Sequence, residues 1–382
     1  MKNIAYKLFA CCFNLCARFP RQERAVLLSP HMASFTDSLG EIESELRRRG
    51  VRTVRVSGAD IKPKKINAAA LFRMLRFFTK GAYDLATAST VFLNDNFMPL
   101  SDLHLQDGAS WVQLWHAEGA FKRFGLDIPD LPQSVRERVL HGNRKLRYVI
   151  CSSVGVAPIY ASAFGVPREK VLALGSPRAD RYLRNTREAD VQAFRAKWFG
   201  GTQKKVVLYA PTFRDDPAEN RRLLRLFDFD RFERELGAQY QLVLRLHPQF
   251  HDVTVPAGVL DMTAYPNVGD LIAACDLLIT DYSSICLDFA LVGKPCVFFA
   301  FDLAYYAGTR SFYHDYRSYV PGPVAETFDA LLDAVRAAEA DTEKLRQFVT
   351  YNFDAPDGKS AARIVDLVSE RPDTQKEGND DG

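Results

Sequence analysis

A strand-turn-helix pattern in the second half of the 382-residue chain has the residue types of a phosphate-binding site. The apolar run 277–280 is followed by a hydroxyl-rich turn that contains Ser283 and Ser284, and residues 285–292 then have the spacing of a helix. The amino terminus of a helix offers unpaired backbone N–H groups and the positive end of the helix dipole, so these serines lie where a phosphate or diphosphate could bind. The alternative is that one of them only caps the helix.

Two more apolar runs of the second half end in residues that bind anions. Residues 205–210 lead to Arg214, and residues 241–246 include Arg245 and lead to His247. Because parallel strands end at the same edge of a sheet, we expect these side chains to lie beside the serine turn. Arginine can bind phosphate oxygens in bidentate fashion, and histidine can donate to an oxygen on which charge develops. The alternative is that Arg214 pairs at the surface with the acid that follows it and that His247 is an ordinary loop histidine.

One strand end in the first half has the residue types of a general base. The apolar run 111–115 leads to His116, which precedes a turn at Gly119 and could accept a proton from an acceptor hydroxyl. Glu118 could orient this histidine or take the proton itself, and Lys122 could neutralise a nearby phosphate. A single histidine is more often structural, and that alternative stays open at this point.

The elements that would position these residues alternate between short β-branched or aromatic runs and helical patterns, which is typical of parallel sheets with crossover helices. A domain typically takes ~100 to 200 residues, so the chain divides into two domains of ordinary size. A charged stretch ending at Gly200 and Gly201 marks the boundary. The sequence predicts an α/β protein in which two Rossmann-like domains, residues 25–190 and 203–371, face each other across a cleft. Residues 372–382 are expected to be a disordered tail.

The predicted elements follow from these patterns. The expected strands are residues 25–29, 53–56, 90–93, 111–115, 148–152 and 171–174 in the first domain, and 205–210, 241–246, 277–280 and 296–299 in the second. The expected helices are residues 39–49, 68–80, 154–164, 229–236, 270–275, 284–292, 325–339 and 342–351.

Residues 1–24 predict an amphipathic helix that either docks on its own domain or lies in a bilayer interface. A second segment, residues 61–80, is also basic and apolar. The cations of this segment that we expect at a membrane are Lys62, Lys64, Lys65, Arg73 and Arg76. Two such segments in one domain favour a surface that meets anionic lipid. The aromatic side chains expected to insert there are Phe9, Phe13, Phe72 and Phe77.

Composition excludes several classes of protein. Hydrophobic residues make up 47% and charged residues 25% of the chain, which excludes a mainly disordered or collagen-like protein. No stretch reaches the ~20 apolar residues of a membrane-spanning helix, which excludes an integral channel or transporter. The net charge of +3 is too small for a protein that binds polyanions over its whole surface, so we expect no nucleic-acid partner. None of the seven cysteines combines with a nearby histidine into a zinc ligand set.

Five motifs occur in a recognisable order along the chain. They are Leu-Trp-His-Ala-Glu-Gly-Ala-Phe-Lys at 114–122, Gly-Ser-Pro-Arg-Ala-Asp at 175–180, Tyr-Ala-Pro-Thr-Phe-Arg-Asp at 209–215, Arg-Leu-His-Pro at 245–248 and Thr-Asp-Tyr-Ser-Ser at 280–284. This ordered set resembles the CDP-glycerol glycerophosphotransferase family of wall teichoic acid synthesis. The resemblance implies a GT-B-like fold, CDP-glycerol as donor, and a lipid-linked acceptor at the cytoplasmic face of the bacterial cell membrane, to which the protein would bind peripherally.

The resemblance also implies roles for individual residues. It makes His116 the expected base and His247 a second essential histidine, with Glu118 as an alternative base and Lys122 on the acceptor side. The residues expected to bind the donor are Arg214, Arg245, Thr280, Asp281, Ser283 and Ser284. We expect neither a metal nor a cofactor, because a helix terminus and cationic side chains can neutralise a leaving diphosphate. CDP-glycerol itself is a substrate.

The residues after His116 resemble the primases of this family, because Ala117, Glu118 and Gly119 stand where its polymerases tend to have Gly-Thr-Pro. A primase transfers one sn-glycerol 3-phosphate to an undecaprenyl-diphosphate-linked ManNAc-GlcNAc disaccharide and releases CMP. The alternatives are a poly(glycerol phosphate) polymerase, a capsule polyol-phosphate transferase, and a catalytically silent membrane-bound scaffold. The sequence leaves the oligomeric state open, including a homo-oligomer.

Overall fold

Two parallel sheets, one in each half of the chain, form the framework of the computed structural model. The structure describes residues 2–31, 35–58, 67–184, 187–214, 216–247, 250, 255–256, 258–309, 311–340 and 342–370. In the first half, these residues form six parallel strands in the order β2-β1-β3-β4-β5-β6. Their bounds are β1 (Gln22–Ser29), β2 (Arg52–Ser57), β3 (Ala88–Leu93), β4 (Ser110–Gln113), β5 (Tyr148–Cys151) and β6 (Val171–Ala173).

The second sheet has the same kind of topology. The described part of the second half contributes six parallel strands in the order β12-β11-β10-β7-β8-β9. Their bounds are β7 (Lys205–Tyr209), β8 (Tyr240–Leu244), β9 (Leu260–Asp261), β10 (Leu277–Thr280), β11 (Cys296–Phe299) and β12 (Val324–Ala325). All pairings are parallel, so the carboxyl ends of the strands in each sheet meet at one edge.

Helices connect the strands in both halves. The α-helices of the described residues are Lys2–Cys16, Ser38–Arg48, Ala68–Arg76, Ala82–Ala86, Gln133–Asn143, Ala157–Phe164, Pro177–Arg184, Glu188–Trp198, Pro217–Leu226, Phe229–Leu236, Val268–Ala274, Ile285–Leu291, Leu303–Thr309, Tyr316–Tyr319, Phe328–Arg336, Glu343–Asn352 and Ser360–Ser369. A π-helical turn, Phe77–Gly81, joins two of them, and 3₁₀ turns cover Met98–Asp102, Gly125–Asp127 and Arg168–Lys170.

Local sequence explains where many of these helices begin. The side chains of Asp37, Asp216, Asp228 and Asn267 each accept a hydrogen bond from a backbone N–H group in the first turn of the helix that follows. Such caps satisfy donors that have no partner inside the helix. Both faces of the sheets are covered by helices. Along β1, for example, the adjacent residues Leu27 and Leu28 are both fully buried and pack into different hydrophobic clusters. This two-sided burial is typical of parallel sheets.

All ten predicted strands are present, with ends shifted by up to three residues. The short strands β9 and β12 were not predicted. The helix expected over residues 325–339 is wrong at its start, because residues 324–325 form β12 and the helix begins at Phe328. The Thr327 side chain caps this helix by accepting the N–H of Ala330, so the change from strand to helix occurs within two residues.

The last helix requires a correction to the predicted second domain, residues 203–371. Helix Ser360–Ser369 packs Ile364 and Val365 into a hydrophobic cluster with Leu27 of the first sheet. The carboxylate of Asp180 caps it by accepting the N–H groups of Ser360 at 3.0 Å and Ala361 at 2.8 Å. The chain therefore crosses back to the first domain before it reaches the expected tail, residues 372–382, which lies outside the described residues.

The first helix docks on the first domain through part of its apolar face. Phe9 stacks on Phe77 with ring centroids 4.6 Å apart, and Phe13 packs against Trp111 at 6.3 Å. The three phenylalanines are buried, so the expectation that Phe9, Phe13 and Phe77 insert into a membrane is wrong. They belong to the core of the first domain. Among the described residues, no helix has the length and hydrophobicity needed to cross a bilayer.

An apolar surface remains beside this helix. We define the amphipathic patch as the exposed side chains of Ile4, Leu8, Leu15, Leu71, Phe72 and Leu75 together with Arg73 and Arg76. Phe72, one of the predicted inserting residues, is 67% exposed. The two helices that carry the patch, Lys2–Cys16 and Ala68–Arg76, meet through Phe9 and the π-helical turn. Lys62, Lys64 and Lys65 lie outside the described residues.

Candidate functional site

A cleft of about 970 Å³ opens between the two domains. Its lining includes most of the residues that the sequence singled out, namely His116, Glu118, Lys122, Arg214, Arg245, His247, Ser283 and Ser284. Thr280 and Asp281, which the structure also describes, do not line this cleft. The carboxyl edges of both sheets contribute to one cavity, as the strand-end argument predicts.

His116 is presented to the cleft by a strained turn after β4. The residue before it, Trp115, has a φ of 60°, which is unusual for a bulky side chain. Its ring packs against the imidazole with centroids 4.1 Å apart and the planes tilted by 35°. Nδ1 of His116 lies 3.2 Å from the carbonyl oxygen of Asn94 and 3.5 Å from a carboxylate oxygen of Asp95. A proton on Nδ1 is donated to the carbonyl oxygen of Asn94, with the Asp95 carboxylate nearby, which leaves Nε2 as the proton acceptor. The His116 side chain is 40% exposed, so this nitrogen can serve a ligand in the cleft.

Asp95 is a site residue that our sequence analysis missed. It follows β3 directly, at the same sheet edge as His116, and its other carboxylate oxygen lies 4.0 Å from Nε2 of His31. The signal was available, because a polar pair, Asn94 and Asp95, follows an apolar strand. A polar pair after an apolar strand is a weaker signal than a histidine or serine motif, so Asp95 was not among the predicted site residues.

Glu118 has a different place from the one expected. Its buried carboxylate accepts a hydrogen bond from Ser176 Oγ at 2.7 Å and lies 3.5 Å from Nε of Arg178. Asp95, and not Glu118, lies beside the His116 ring. Glu118 therefore anchors the turn that carries His116 and does not orient its imidazole.

Lys122 extends from the first domain to the second. Its backbone forms an antiparallel bridge with Phe312, and its ammonium group lies 3.4 Å from the hydroxyl of Tyr306. The positive charge of Lys122 also acts on His247 across the cleft. The residue expected on the acceptor side thus lies at the junction of the two domains.

His247 and Arg245 form a cationic region on the second domain. The His247 ring stacks on Phe213 with centroids 4.8 Å apart, while Arg245 donates to the carbonyl oxygens of Met262 at 3.1 Å and Tyr265 at 2.7 Å. Partial burial lowers the pKa of His247, and the charges of Lys122 and Arg245 lower it further. A neutral imidazole surrounded by cations is suited to meeting an anionic group such as a phosphate.

Arg214 lines the cleft, but its guanidinium is held inside the protein. It pairs with Asp302 at 2.9 Å and Asp281 at 3.0 Å, donates to the carbonyl oxygen of Thr212, and lies over the ring of Tyr282 at 5.1 Å. Burial alone would lower the pKa of Arg214, yet the two carboxylates raise it above its usual range. Arg214, expected to bind the donor, is instead engaged in this buried network at the edge of the cleft. The alternative, a surface pair with Asp215, concerns a residue outside the described ones.

Thr280 and Asp281 support the same region. The Thr280 hydroxyl donates to the carbonyl oxygen of Ala210 at 2.7 Å, and Asp281 accepts the N–H of Thr212 at 2.8 Å. Both side chains are buried. They fix the turn after β10 against the turn after β7, and the structure gives them this supporting role in place of the expected direct contact with the donor.

Ser283 and Ser284 are half-buried at the start of helix Ile285–Leu291 and face the cleft. The Ser283 hydroxyl accepts the N–H of Ile285 only at 3.4 Å, and the Ser284 side chain makes no capping hydrogen bond in the described structure. The capping alternative therefore accounts for little of their hydrogen-bonding capacity. Within the described part of the chain, no group of three His, Cys, Asp or Glu side chains is placed to hold a metal ion.

Comparison with known proteins agrees with this geometry. The family described as CDP-Glycerol:Poly(glycerophosphate) glycerophosphotransferase matches residues 12–370. A teichoic acid poly(ribitol-phosphate) polymerase of Bacillus spizizenii is 35% identical over 75% of this chain, and a teichoic acid ribitol-phosphate primase of the same organism is 33% identical over 75%. The matched region spans 47% of the length of the polymerase and 76% of the length of the primase.

A solved structure confirms the predicted fold class. The wall teichoic acid polymerase TagF, in its H444N form with CDPG, superposes with a TM-score of 0.78 and covers 96% of this chain and 95% of the compared chain. Because the two sequences are 24% identical, this likeness concerns the fold. The two facing α/β domains are therefore GT-B-like.

Proposed function

The chain belongs to the CDP-glycerol:poly(glycerophosphate) glycerophosphotransferase family, and from this premise we propose that it transfers a polyol phosphate from a CDP-linked donor to an acceptor hydroxyl. The observation that carries the proposal is the opposition of two half-sites in one cleft. Nε2 of His116 is left as a proton acceptor on the first domain, and a cationic region with a serine turn lies on the second.

The proposed reaction assigns a task to each half-site. Ser283, Ser284 and the adjacent helix terminus hold the donor diphosphate, and His247 donates a hydrogen bond to it. The acceptor hydroxyl gives its proton to His116 while its oxygen bonds to the phosphorus that carries the polyol. The bond from this phosphorus to the bridging oxygen breaks, and CMP leaves with that oxygen. Lys122 and Arg245 lie where they can stabilise the charge on the departing phosphate.

CDP-glycerol is the donor that we propose first, because the family is described by it. A second candidate is the ribitol counterpart, since the two relatives compared above carry ribitol phosphate in their names. The cleft of about 970 Å³ can hold a nucleotide diphosphate with either polyol. We propose that the reaction needs no metal or cofactor, and recovery of activity by Mg²⁺ after chelation would contradict this.

For the acceptor, we propose an undecaprenyl-diphosphate-linked disaccharide that receives a single unit. The support for this primase-type role is the segment Ala117-Glu118-Gly119 after the base, which resembles the primases of the family. Repeated addition by a polymerase, or transfer to a capsule polymer, are the enzymatic alternatives. A silent scaffold is the alternative outside catalysis, and the availability of His116 at the cleft argues against it.

The amphipathic patch supports a peripheral position at the cytoplasmic face of the membrane. A lipid-linked acceptor keeps its chain in the bilayer, so its enzyme has to work at the membrane surface. The exposed side chains Leu71, Phe72 and Leu75 can enter the acyl boundary while Arg73 and Arg76 meet anionic headgroups. Replacing Phe72 and Leu75 by Ser should weaken cosedimentation with vesicles that contain anionic lipid, and Arg73→Gln with Arg76→Gln should weaken it in a salt-dependent way. Unchanged sedimentation of both variants would contradict the membrane assignment.

The experiment that tests the proposed function uses purified protein, CDP-glycerol or CDP-ribitol, and a synthetic lipid-linked disaccharide. Mass analysis of the products should show acceptor-dependent release of CMP and addition of one polyol phosphate. A ladder of additions would favour the polymerase, and the preferred nucleotide would identify the polyol. The absence of CMP release with either donor would overturn the proposal.

A further inference from the structure

Arg178 is the residue of the Gly-Ser-Pro-Arg motif to which the proposed reaction gives no task. It lies in helix Pro177–Arg184, between the two domains in the chain. Its Nε lies 3.5 Å from Glu118, one terminal nitrogen lies 3.5 Å from the backbone carbonyl oxygen of His116, and the other forms an ion pair with Asp288. One guanidinium therefore contacts the turn of the base and a helix of the other domain.

The position of Asp288 connects this contact to the second half-site. Asp288 is fully buried in helix Ile285–Leu291, which begins directly after the serine turn of the second half-site. Through Asp288, Arg178 is connected to the element that presents Ser283 and Ser284. Through His116 and Glu118, it is connected to the element that presents the base.

A second observation shows that the two elements are directly apposed. Gly119, which ends the base turn, has a φ of 62°, and a Cβ atom built on it would lie 3.0 Å from Leu287 and 2.5 Å from Asn352. Glycine is therefore required both by the backbone angle and by the close approach of the second domain. The turn has no room to move toward helix Ile285–Leu291, and Arg178 opposes movement away from it.

The first domain holds the same turn at other atoms. The carbonyl oxygen of Ala117 accepts a hydrogen bond from the hydroxyl of Tyr160 at 2.8 Å, and the N–H of Gly119 donates to Ser152 Oγ at 3.3 Å. These contacts fix the turn within its own domain. The contacts of Arg178 differ because they also reach Asp288 in the second domain.

From this geometry we propose that Arg178 is a positioning residue that sets the placement of His116 relative to the serine turn across the domain boundary. It touches neither substrate in the proposed reaction and acts through His116 and helix Ile285–Leu291. Arginine suits the role because its planar guanidinium presents N–H groups in several fixed directions, which a lysine ammonium on a flexible stem does not reproduce. Burial raises the pKa of Asp288 and the charge of Arg178 opposes this rise, so the cluster depends on the guanidinium.

The inference rests on the proposed function for its kinetic consequence. If Arg178 positions the base, Arg178→Lys keeps a positive charge beside the two buried acids but loses the defined geometry. We expect kcat to fall at least tenfold while the KM and Kd of the donor stay within about threefold, because the serine turn itself is intact. A residue that merely stabilises the fold would not divide kcat from donor binding in this way.

The chain offers a matched control in the same helix. Arg184 pairs with Glu41 and donates to the carbonyl oxygen of Gly358, away from the cleft. Arg184→Lys makes the same chemical change and should leave kcat within twofold of the unmodified protein. Asp288→Asn keeps an acceptor oxygen for Arg178 and should lower kcat less than Arg178→Lys. The double variant should be no worse than Arg178→Lys, because both changes act on one contact.

Hydrogen exchange supplies a readout that does not depend on turnover. Peptides covering residues 114–122 and 283–291 should exchange faster in Arg178→Lys than in the unmodified protein or in Arg184→Lys. Unchanged kcat and unchanged exchange would overturn the inference, as would a loss confined to donor affinity. If the unmodified protein turns over neither CDP-glycerol nor CDP-ribitol, the proposed function fails, and exchange alone then decides whether Arg178 holds the two elements together.

Discussion

The turn that carries His116 and the turn that carries Arg214 both follow a buried parallel strand, yet they use their charged residues in different ways. His116 is 40% exposed and directs one nitrogen to the cleft, while its neighbours hold the backbone of the turn. Arg214 is buried, and its guanidinium is engaged by Asp281, Asp302 and the carbonyl oxygen of Thr212. Two motifs that look equally functional in the sequence thus place one side chain at the cleft and one in a buried network.

This difference shows what a family motif contains. The motifs include side chains that lie at the cleft and side chains that hold the first group in place. Both kinds are polar, so the sequence alone does not distinguish them. Burial and existing partners separate them. The side chains of Arg214, Thr280 and Asp281 are buried and engaged within the protein, whereas His116, His247, Ser283 and Ser284 are less buried and line the cleft.

The largest effect is expected from replacing His116, the proposed proton acceptor. His116→Gln should lower kcat about 10³-fold, because it removes the proton acceptor while the turn keeps its backbone contacts. The measurement is steady-state release of CMP in the presence of acceptor. A loss smaller than tenfold in a folded variant would show that another group takes the proton.

Replacing Arg214, the supporting residue, should mainly lower the stability of the fold. Arg214→Met leaves Asp281 and Asp302 buried without their cation, which should lower the free energy of unfolding by about 3–5 kcal/mol. Arg245→Met is the matched change, because Arg245 has no carboxylate partner among the contacts described above, and it should cost far less stability while weakening donor binding. Urea denaturation of both variants checks this. Equal losses of stability would contradict the assignment of Arg214 as a support.

Asp95 lies beside the His116 ring and should support its role as the proton acceptor. Asp95→Asn should lower kcat about tenfold, because the carboxylate 3.5 Å from Nδ1 can stabilise the imidazolium that forms when His116 takes a proton, while the carbonyl oxygen of Asn94 still holds Nδ1. Asp95→Glu should recover part of the rate. An unchanged rate in Asp95→Asn would remove Asp95 from the site.

The smallest expected effect is the uptake of a fraction of a proton by His247 when the donor binds. In the free protein, partial burial lowers the pKa of His247, with Lys122 and Arg245 adding to the shift, so the ring is neutral at pH 7. A bound diphosphate should raise this pKa, so donor binding should take up protons and become tighter as pH falls to about 6. Calorimetry in two buffers of different ionisation enthalpy measures the uptake. Proton release, or the same uptake in His247→Asn, would contradict this account.

The sequence was sufficient for the fold because apolar strand runs and their polar ends are local signals. The runs at 205–210 and 277–280, for example, became adjacent strands whose ends meet at the cleft. The partners of those polar ends could not be predicted. Asp302 is 88 residues from Arg214, and Asp180 caps a helix 180 residues later, so only the folded chain reveals these pairs.

The same limit applies to the first helix and to Glu118. Amphipathic spacing indicated an apolar face on residues 2–16 but could not divide it between the core, which takes Phe9, and the surface, which keeps Leu8. Proximity in sequence suggested that Glu118 orients His116, whereas the turn points the carboxylate to Ser176 and brings Asp95 from another strand to the ring. Side-chain direction within a turn is set by tertiary contacts, which composition and spacing do not contain.

The proposed base and the proposed donor site belong to separate domains, so each should be lost without the other. The most direct measurement is a donor-binding isotherm for CDP-glycerol, or for CDP-ribitol if that nucleotide is the one turned over. It compares the unmodified protein, His116→Gln, and the double variant Ser283→Ala/Ser284→Ala. We expect near-normal binding without turnover for His116→Gln, and loss of binding with the fold retained for the double variant. Wild-type affinity in the double variant, or equal loss of affinity in His116→Gln, would contradict it.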